Sequence, residues 1–238
     1  MKSYNILTNR SDLIVDKSYV KINSNDNVLN YNDGNYLYKI LYFNNLNNIE
    51  ESLIKEISFF FKLLNIKKKN HLFVVGLGND NHTADSIGPK TLKHIKVNSY
   101  LKNFFETDKT IISALEPGVL GETGILTEKI IKSVADLIKP DLIIVIDAIV
   151  SNNLDFLNKT IQITNAGINT GSGLYELSSN ISYENLKIPT LVIGITTAIE
   201  VKFNNHTYLL SSKDIDDYVL KISKIIGNSI NKAIDNLN

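Results

Sequence analysis

The chain has 238 residues, and its 25 lysines and arginines balance its 25 aspartates and glutamates. That length buries a substantial single core, and the balanced charge gives no broad electrostatic grip on nucleic acid or an anionic membrane. The complete lack of cysteine excludes a disulfide, a thiolate zinc site and a cysteine nucleophile.

Met1–Ser11 is polar with no apolar centre, so no signal peptide is read there. No apolar run approaches the ~20 residues that cross a bilayer. The expectation is a cytoplasmic protein without a membrane span. Residues 1–45 read as an N-terminal arm, its first 35 residues polar and irregular, and 46–238 as one α/β domain. Tyr36–Phe43 has the composition of an edge strand or hairpin arm. Asn48–Ile66 repeats Ile49, Leu53, Ile57, Phe60 and Leu64 at helical spacing. The run Phe59-Phe60-Phe61 falls inside that helix and is expected in the core. Lys67-Lys68-Lys69 suits the negative end of the helix dipole better than a nucleic-acid patch.

From Leu72 the rhythm is strand, loop, helix. A strand over Leu72–Gly76 leads through a Gly/Asn loop into a helix starting near Gly88-Pro89, where proline is tolerated, and running to about Val97. Strands follow at Thr110–Leu115, Leu142–Asp147, Thr160–Thr164 and Ile188–Ile195, with a helix over Leu126–Ile138. Ser211 and Asp214 resemble a capping box ahead of a final helix carrying Ile215, Val219, Ile222, Ile226, Ile230 and Ile234. Alternating strands and helices imply a mainly parallel sheet covered by helices on both faces.

Two aspartates occupy informative places. Asp85 ends the stretch Gly76-Leu-Gly-Asn-Asp-Asn-His-Thr-Ala-Asp85 after the first of these strands, and Asp147 ends the apolar run Leu142–Asp147. A carboxylate at a buried strand end loses hydration and needs a reason to stay, and ligands of open α/β sheets bind at the C-terminal ends of strands. Alone, Asp85 is also a good helix N-cap, and Asp147 is also suited to binding loop amides. Gly76-x-Gly78 with Asn79 after a strand lacks the third glycine of a dinucleotide fingerprint, since Asn81 stands in its place. No cofactor is expected. Further glycine-rich loops carry Gly118 and Gly121, and Gly171, Ser172 and Gly173. They serve equally well as turns or as N–H donors to a developing oxyanion, worth roughly 3 kcal/mol per donor. Ser172 lacks the setting of a nucleophile elbow. Of the four histidines only His82, within the first loop, could join Asp85 and Asp147 about a divalent metal, and it reads more readily as a loop histidine facing water.

In several long segments the chain resembles the germination protease family, the spore endopeptidases. These are Val75–Pro89, Ser113–Gly124, Lys139–Ala148, Thr160–Gly173, Ile188–Thr196 and Ile230–Ala233. The resemblance implies an α/β fold related to hydrogenase-maturation peptidases and an endopeptidase that degrades small acid-soluble spore proteins in the spore core. It implies Asp85 and Asp147 as the catalytic pair and a homotetramer. It also implies a zymogen cut at Asp12–Leu13, within Asn9-Arg-Ser-Asp-Leu-Ile14. The chain departs from the family at Asp80, where relatives carry Trp, at His82, where an apolar residue is usual, and at Ala84, where Pro precedes the aspartate. In a close carboxyl pair both members cannot comfortably ionise. Buried Asp147 is expected to hold the shared proton as the acid, and Asp85, near a helix N-terminus, to act as the base.

Overall fold

The computed structural model describes residues 23–25, 28–32, 34–101, 109–170, 179–204 and 206–237. In chain order these form β1 (Asn23–Asn25), β2 (Val28–Asn32), β3 (Leu37–Tyr42), α1 (Ile49–Leu63), β4 (His71–Gly76), α2 (Ile87–Leu92) and β5 (Ile111–Leu115). A single helical turn α3 (Leu120–Thr123) precedes α4 (Thr127–Ile138) and β6 (Leu142–Ser151). Then come β7 (Thr160–Thr164), β8 (Ile168–Thr170), β9 (Ser179–Ile181), the short α5 (Tyr183–Leu186), β10 (Thr190–Phe203), β11 (His206–Leu210) and α6 (Ile215–Asp235).

Among the described residues nine strands make one mixed sheet in the order β1-β2-β3-β7-β10-β6-β4-β5, with β11 on the outer half of β10. The strands β5, β4, β6 and β10 are mutually parallel; β7, β3, β2 and β1 add antiparallel pairs. Residues 28–32, expected in an irregular arm, are a sheet strand, because their pairing with β3 supplies partners that local sequence does not.

Side chains alternate across the sheet, and the two faces have separate cores. Leu72, Val74, Leu142, Ile144, Ile146, Leu191, Ile193 and Ile195 pack beneath α1, α6 and Ile87 of α2. Phe73, Val75, Ile143, Val145, Ile149 and Val192 pack beneath Ile131 and Ala135 of α4 and beneath Ile168 and Ile181 of the β8–β9 pair. The five-residue run Leu142–Ile146 is apolar throughout because it is buried on both faces. In the Phe triplet, Phe60 and Phe61 are core, whereas Phe59 is 42% exposed with the Lys39 ammonium 3.7 Å from its ring centre. Lys39 also forms a buried ion pair from β3 to Glu56 of α1.

Several boundaries depart from expectation. Helix α2 ends at Leu92, not near Val97. The buried Asn231 side chain of α6 accepts the Lys96 N–H at 3.0 Å and donates to the His94 carbonyl at 2.8 Å, closing off the chain just beyond it. No capping box forms at α6: Asp214 is the N-cap residue and its side chain makes no capping bond. Asp147 is not at a strand end, for β6 continues to Ser151 alongside β10, past a bulge between Thr196 and Ala198. No helix among the described residues is long and apolar enough to cross a membrane.

Candidate functional site

The loop after β4 folds back on itself, and glycine makes this possible. Gly78 sits at φ 111°, where a side chain is strained, and a Cβ there would overlap the Asp85 carbonyl oxygen. Gly76 and Gly88 meet in the same way: a Cβ on either would strike the other segment's backbone, so β4 and the first turn of α2 approach as bare chain. These glycines serve close packing at the strand exit, as a tight turn requires, and leave the fingerprint reading without support.

Within that fold Asp85 ends a 3-10 turn, Thr83–Asp85, and Ser86 takes the N-cap position of α2. The cap reading of Asp85 is thereby overturned. Its carboxylate turns backward: the Asn79 N–H donates to Asp85 Oδ2 at 3.0 Å and to the Asp85 carbonyl at 3.1 Å. Asp80 turns the other way, onto Lys90 at 2.6 Å and Lys93 at 2.9 Å. Hydrogen bonds from Lys90 and then Lys93 hold its carboxyl below the usual carboxylate range. Its charge is therefore answered by α2 at the point where the family-like Trp is replaced.

Asp147 is the sixth residue of β6 and only 8% exposed. Its pleat position puts its Cβ on the α4 face with Val145 and Ile149. The carboxylate reaches sideways, accepting the N–H of Ala148 at 2.9 Å. Just before it the Leu77 N–H donates to the Ile146 carbonyl at 2.8 Å, the last bond joining the β4 chain to β6. The Asn79 N–H that holds Asp85 lies two residues past Leu77 and the Ala148 N–H that holds Asp147 two residues past Ile146, both on the C-terminal side of that bond. Asp85 lies in the loop beyond the C-terminal end of β4, and Asp147 lies within β6 one residue past the level at which β4 ends, the end of the sheet where ligands bind.

The other expected residues lie around this point or elsewhere. Gly76, Gly78 and Asn79 form the loop that carries Asp85. His82 lies in the same loop and is exposed. Among the described residues no group of three or more His, Asp or Glu is placed to hold a metal ion, so Asp85, Asp147 and His82 do not converge as a ligand set. Gly118, at φ 70°, and Gly121, with open space at its Cβ position, lie in the neighbouring loop after β5. The two loops touch where Asn81 Nδ2 donates to Glu122 Oε1 at 3.4 Å. Gly171, Ser172 and Gly173, and the expected cleavage pair Asp12 and Leu13, lie outside the described residues. A cavity of about 300 Å³ at the β3–α1 loop, lined by Leu41, Phe43, Asn45, Asn48 and Ile49 among others, includes neither aspartate.

Sequence reading gave no role to Gly194. It pairs with Asp147 on one side and Gln162 on the other, and Gln162 pairs with Ile40, so these four form one row across the sheet. A Cβ at Gly194 would meet Ile149 at 3.0 Å, so the bare position leaves Ile149 its place. Its signal was a glycine within an otherwise apolar buried run.

The germination protease family model matches residues 38–204, from β3 through β10 and both aspartates. A germination protease of Caldanaerobacter subterraneus subsp. tengcongensis is 39% identical over 182 residues, covering 74% of this chain and 55% of that protein. One from Priestia megaterium is 38% identical over 180 residues, covering 73% and 46%, and one from Clostridium perfringens is 32% identical over 222 residues, covering 73% and 68%. The chain spans about half the length of the first two of these relatives. The matched span exceeds half of the chain and includes the whole parallel core of the sheet: the chain belongs to the germination protease family.

Proposed function

We propose that this chain is an endopeptidase of the germination protease type, hydrolysing small acid-soluble spore proteins during germination through Asp85 and Asp147. What carries the reading is the anchoring of both carboxylates beside the Leu77–Ile146 bond, at the C-terminal end of the parallel strands. Two carboxyls sharing one proton suffice to cleave an amide without a covalent intermediate. Asp85, the more exposed of the two, takes a proton from water as its oxygen attacks the scissile carbonyl carbon. Asp147, carrying the shared proton, gives it to the departing amide nitrogen as the C–N bond breaks. The pair titrates as a unit, so the roles belong to the pair in its singly protonated state.

The same reading takes the spore core as the location, a homotetramer as the assembly and a fold related to the hydrogenase-maturation peptidases. It takes residues 1–12 as a propeptide removed at Asp12–Leu13, ahead of the peptidase domain. N-terminal sequencing of matured protein and the molar mass in solution test the propeptide and the tetramer.

The direct test incubates the purified chain with a small acid-soluble spore protein and follows fragments by mass spectrometry. Asp85→Asn and Asp147→Asn keep the side-chain shape and remove the proton transfer, so each is expected to lower the rate by roughly 10²–10⁴-fold with an unchanged melting temperature. Cleavage by either variant at the parental rate rejects the pair. Repeating the assay with a chelator and metal analysis distinguishes a metal-assisted peptidase using the same residues. Binding without any cleavage by the parental chain indicates a non-catalytic sporulation protein.

A further inference from the structure

Strand β6 outlasts its neighbour β4. Their pairing ends at Gly76 opposite Ile146, while β6 runs on to Ser151 with β10 on its other side. Among the described residues no strand pairs with positions 147–151 on the β4 side. Main-chain groups of alternate residues point to alternate edges of a strand. The Ile146 carbonyl points to β4, accepting from Leu77, and the Ile143 N–H points the opposite way, to the Pro189 carbonyl at 2.9 Å. Ala148 and Val150 therefore turn their N–H and C=O groups to the β4 side, where the neighbouring strand has already ended. These two residues are half-buried, while Ile149 and Ser151 between and beyond them are buried. The first of the N–H groups is held by Asp147 itself, so the outward groups left for a partner are the Ala148 carbonyl and the Val150 N–H and carbonyl, directly beside the proposed catalytic carboxylate.

We propose that residues 148–151 of β6 bind the polypeptide substrate as an added β-strand. This rests on the endopeptidase reading and specifies its substrate class: segments that are extended, not helical, when they bind. An open strand edge offers a donor and acceptor repeat that only another extended backbone matches. The small side chains of Ala148, Val150 and Ser151 carry no charge, so they impose little selection on the substrate side chains. A peptide laid along this edge passes Asp147 at its β4 end and the Asp85 loop directly beyond, which brings a peptide bond to the carboxylates without a deep specificity pocket.

Val150→Pro tests the edge. Proline removes the N–H that faces outward and is tolerated on unpaired strand edges. With a small acid-soluble spore protein as substrate, KM is expected to rise about tenfold, the scale of one lost backbone hydrogen bond, with the loss in KM and not in kcat and with melting preserved. A parallel measurement does not depend on cleavage or on that variant's folding. Fluorescence anisotropy compares binding to the full parental chain of a labelled peptide from the spore protein and of the same peptide with alternate backbone N-methylation, which is expected to bind at least about tenfold more weakly. Equal KM in a folded Val150→Pro chain, equal binding of the two peptides, or no binding of either, overturns the strand-addition proposal. Cleavage that persists alongside such a result leaves the endopeptidase reading standing, so the two fail separately.

Discussion

At Gly78 the chain takes φ 111° and passes so close to Asp85 that no Cβ fits between them. Gly78→Ala therefore meets both a strained backbone, costing ~1–3 kcal/mol, and a clash with the carbonyl of the residue it serves. The expected outcome is a melting temperature lower by several degrees, at about 2–4 °C per kcal/mol for a chain of this size, with proteolysis reduced further than the stability loss explains. Thermal unfolding and the spore-protein assay, run on the same preparation, check both. Asp85 itself shows how far local reading reaches. An aspartate ahead of a helix is a sound N-cap by composition, but the carboxylate turns back to Asn79 and leaves the cap position to Ser86. That choice depends on the loop closing over Gly78, which no residue preference encodes. Asp80 was legible as an added acid beside Asp85; that Lys90 and Lys93 would take it up required α2 to be in place.

Helices and strands were legible where periodicity is strong. Ile49, Leu53, Ile57 and Phe60 of α1, and Val219, Ile222, Ile226 and Ile230 of α6, are all buried at the spacing that marked them. Their ends were less so. Helix α2 stops just before the stretch that a side chain from α6, far along the sequence, binds at His94 and Lys96, and Gly227 lets α6 come so close that a Cβ there would lie 2.6 Å from the His94 Cβ and 3.1 Å from the Thr91 carbonyl oxygen. Asn231→Ala removes both partners at once. The bonds to the Lys96 N–H and the His94 carbonyl are only partly buried, so losing them is expected to cost ~0.5–1.5 kcal/mol each. Chemical denaturation measures this as a lower midpoint at an unchanged slope, and an unchanged midpoint would show that water replaces the amide. The strands differ in the same manner: Thr160–Thr164 matches β7 end to end, whereas β6 and β10 run past their expected limits because they pair with each other as far as Ser151 and Ile199, and β10 then pairs with β11.

For the molecule as a whole, the sheet is more mixed than the alternating pattern implied, with antiparallel strands flanking a four-strand parallel core. The family match ends at residue 204, yet α6 beyond it supplies Val219, Ile222, Ile226 and Ile230 to one of the two cores. Truncation after Leu210 is accordingly expected to abolish the cooperative unfolding transition, since losing one buried aliphatic side chain alone costs ~2–5 kcal/mol and here four are lost together. A truncated chain that still melts cooperatively near the parental temperature would show that the matched span folds alone. The sequence by itself determined the alternation of strands and helices, the buried faces of the long helices and the two aspartates worth attention, because periodicity and charge within an apolar run are local signals. Tertiary structure alone decided the strand order, the row joining Asp147 to Gly194, the turning of Asp85 onto Asn79 and the end of the β4–β6 pairing at Ile146. The strand order, the row and the pairing limit depend on partners far apart in the chain, and the Asp85 turn on a loop closed over a bare Gly78; neither kind of hydrogen bonding leaves a periodic mark on its residues.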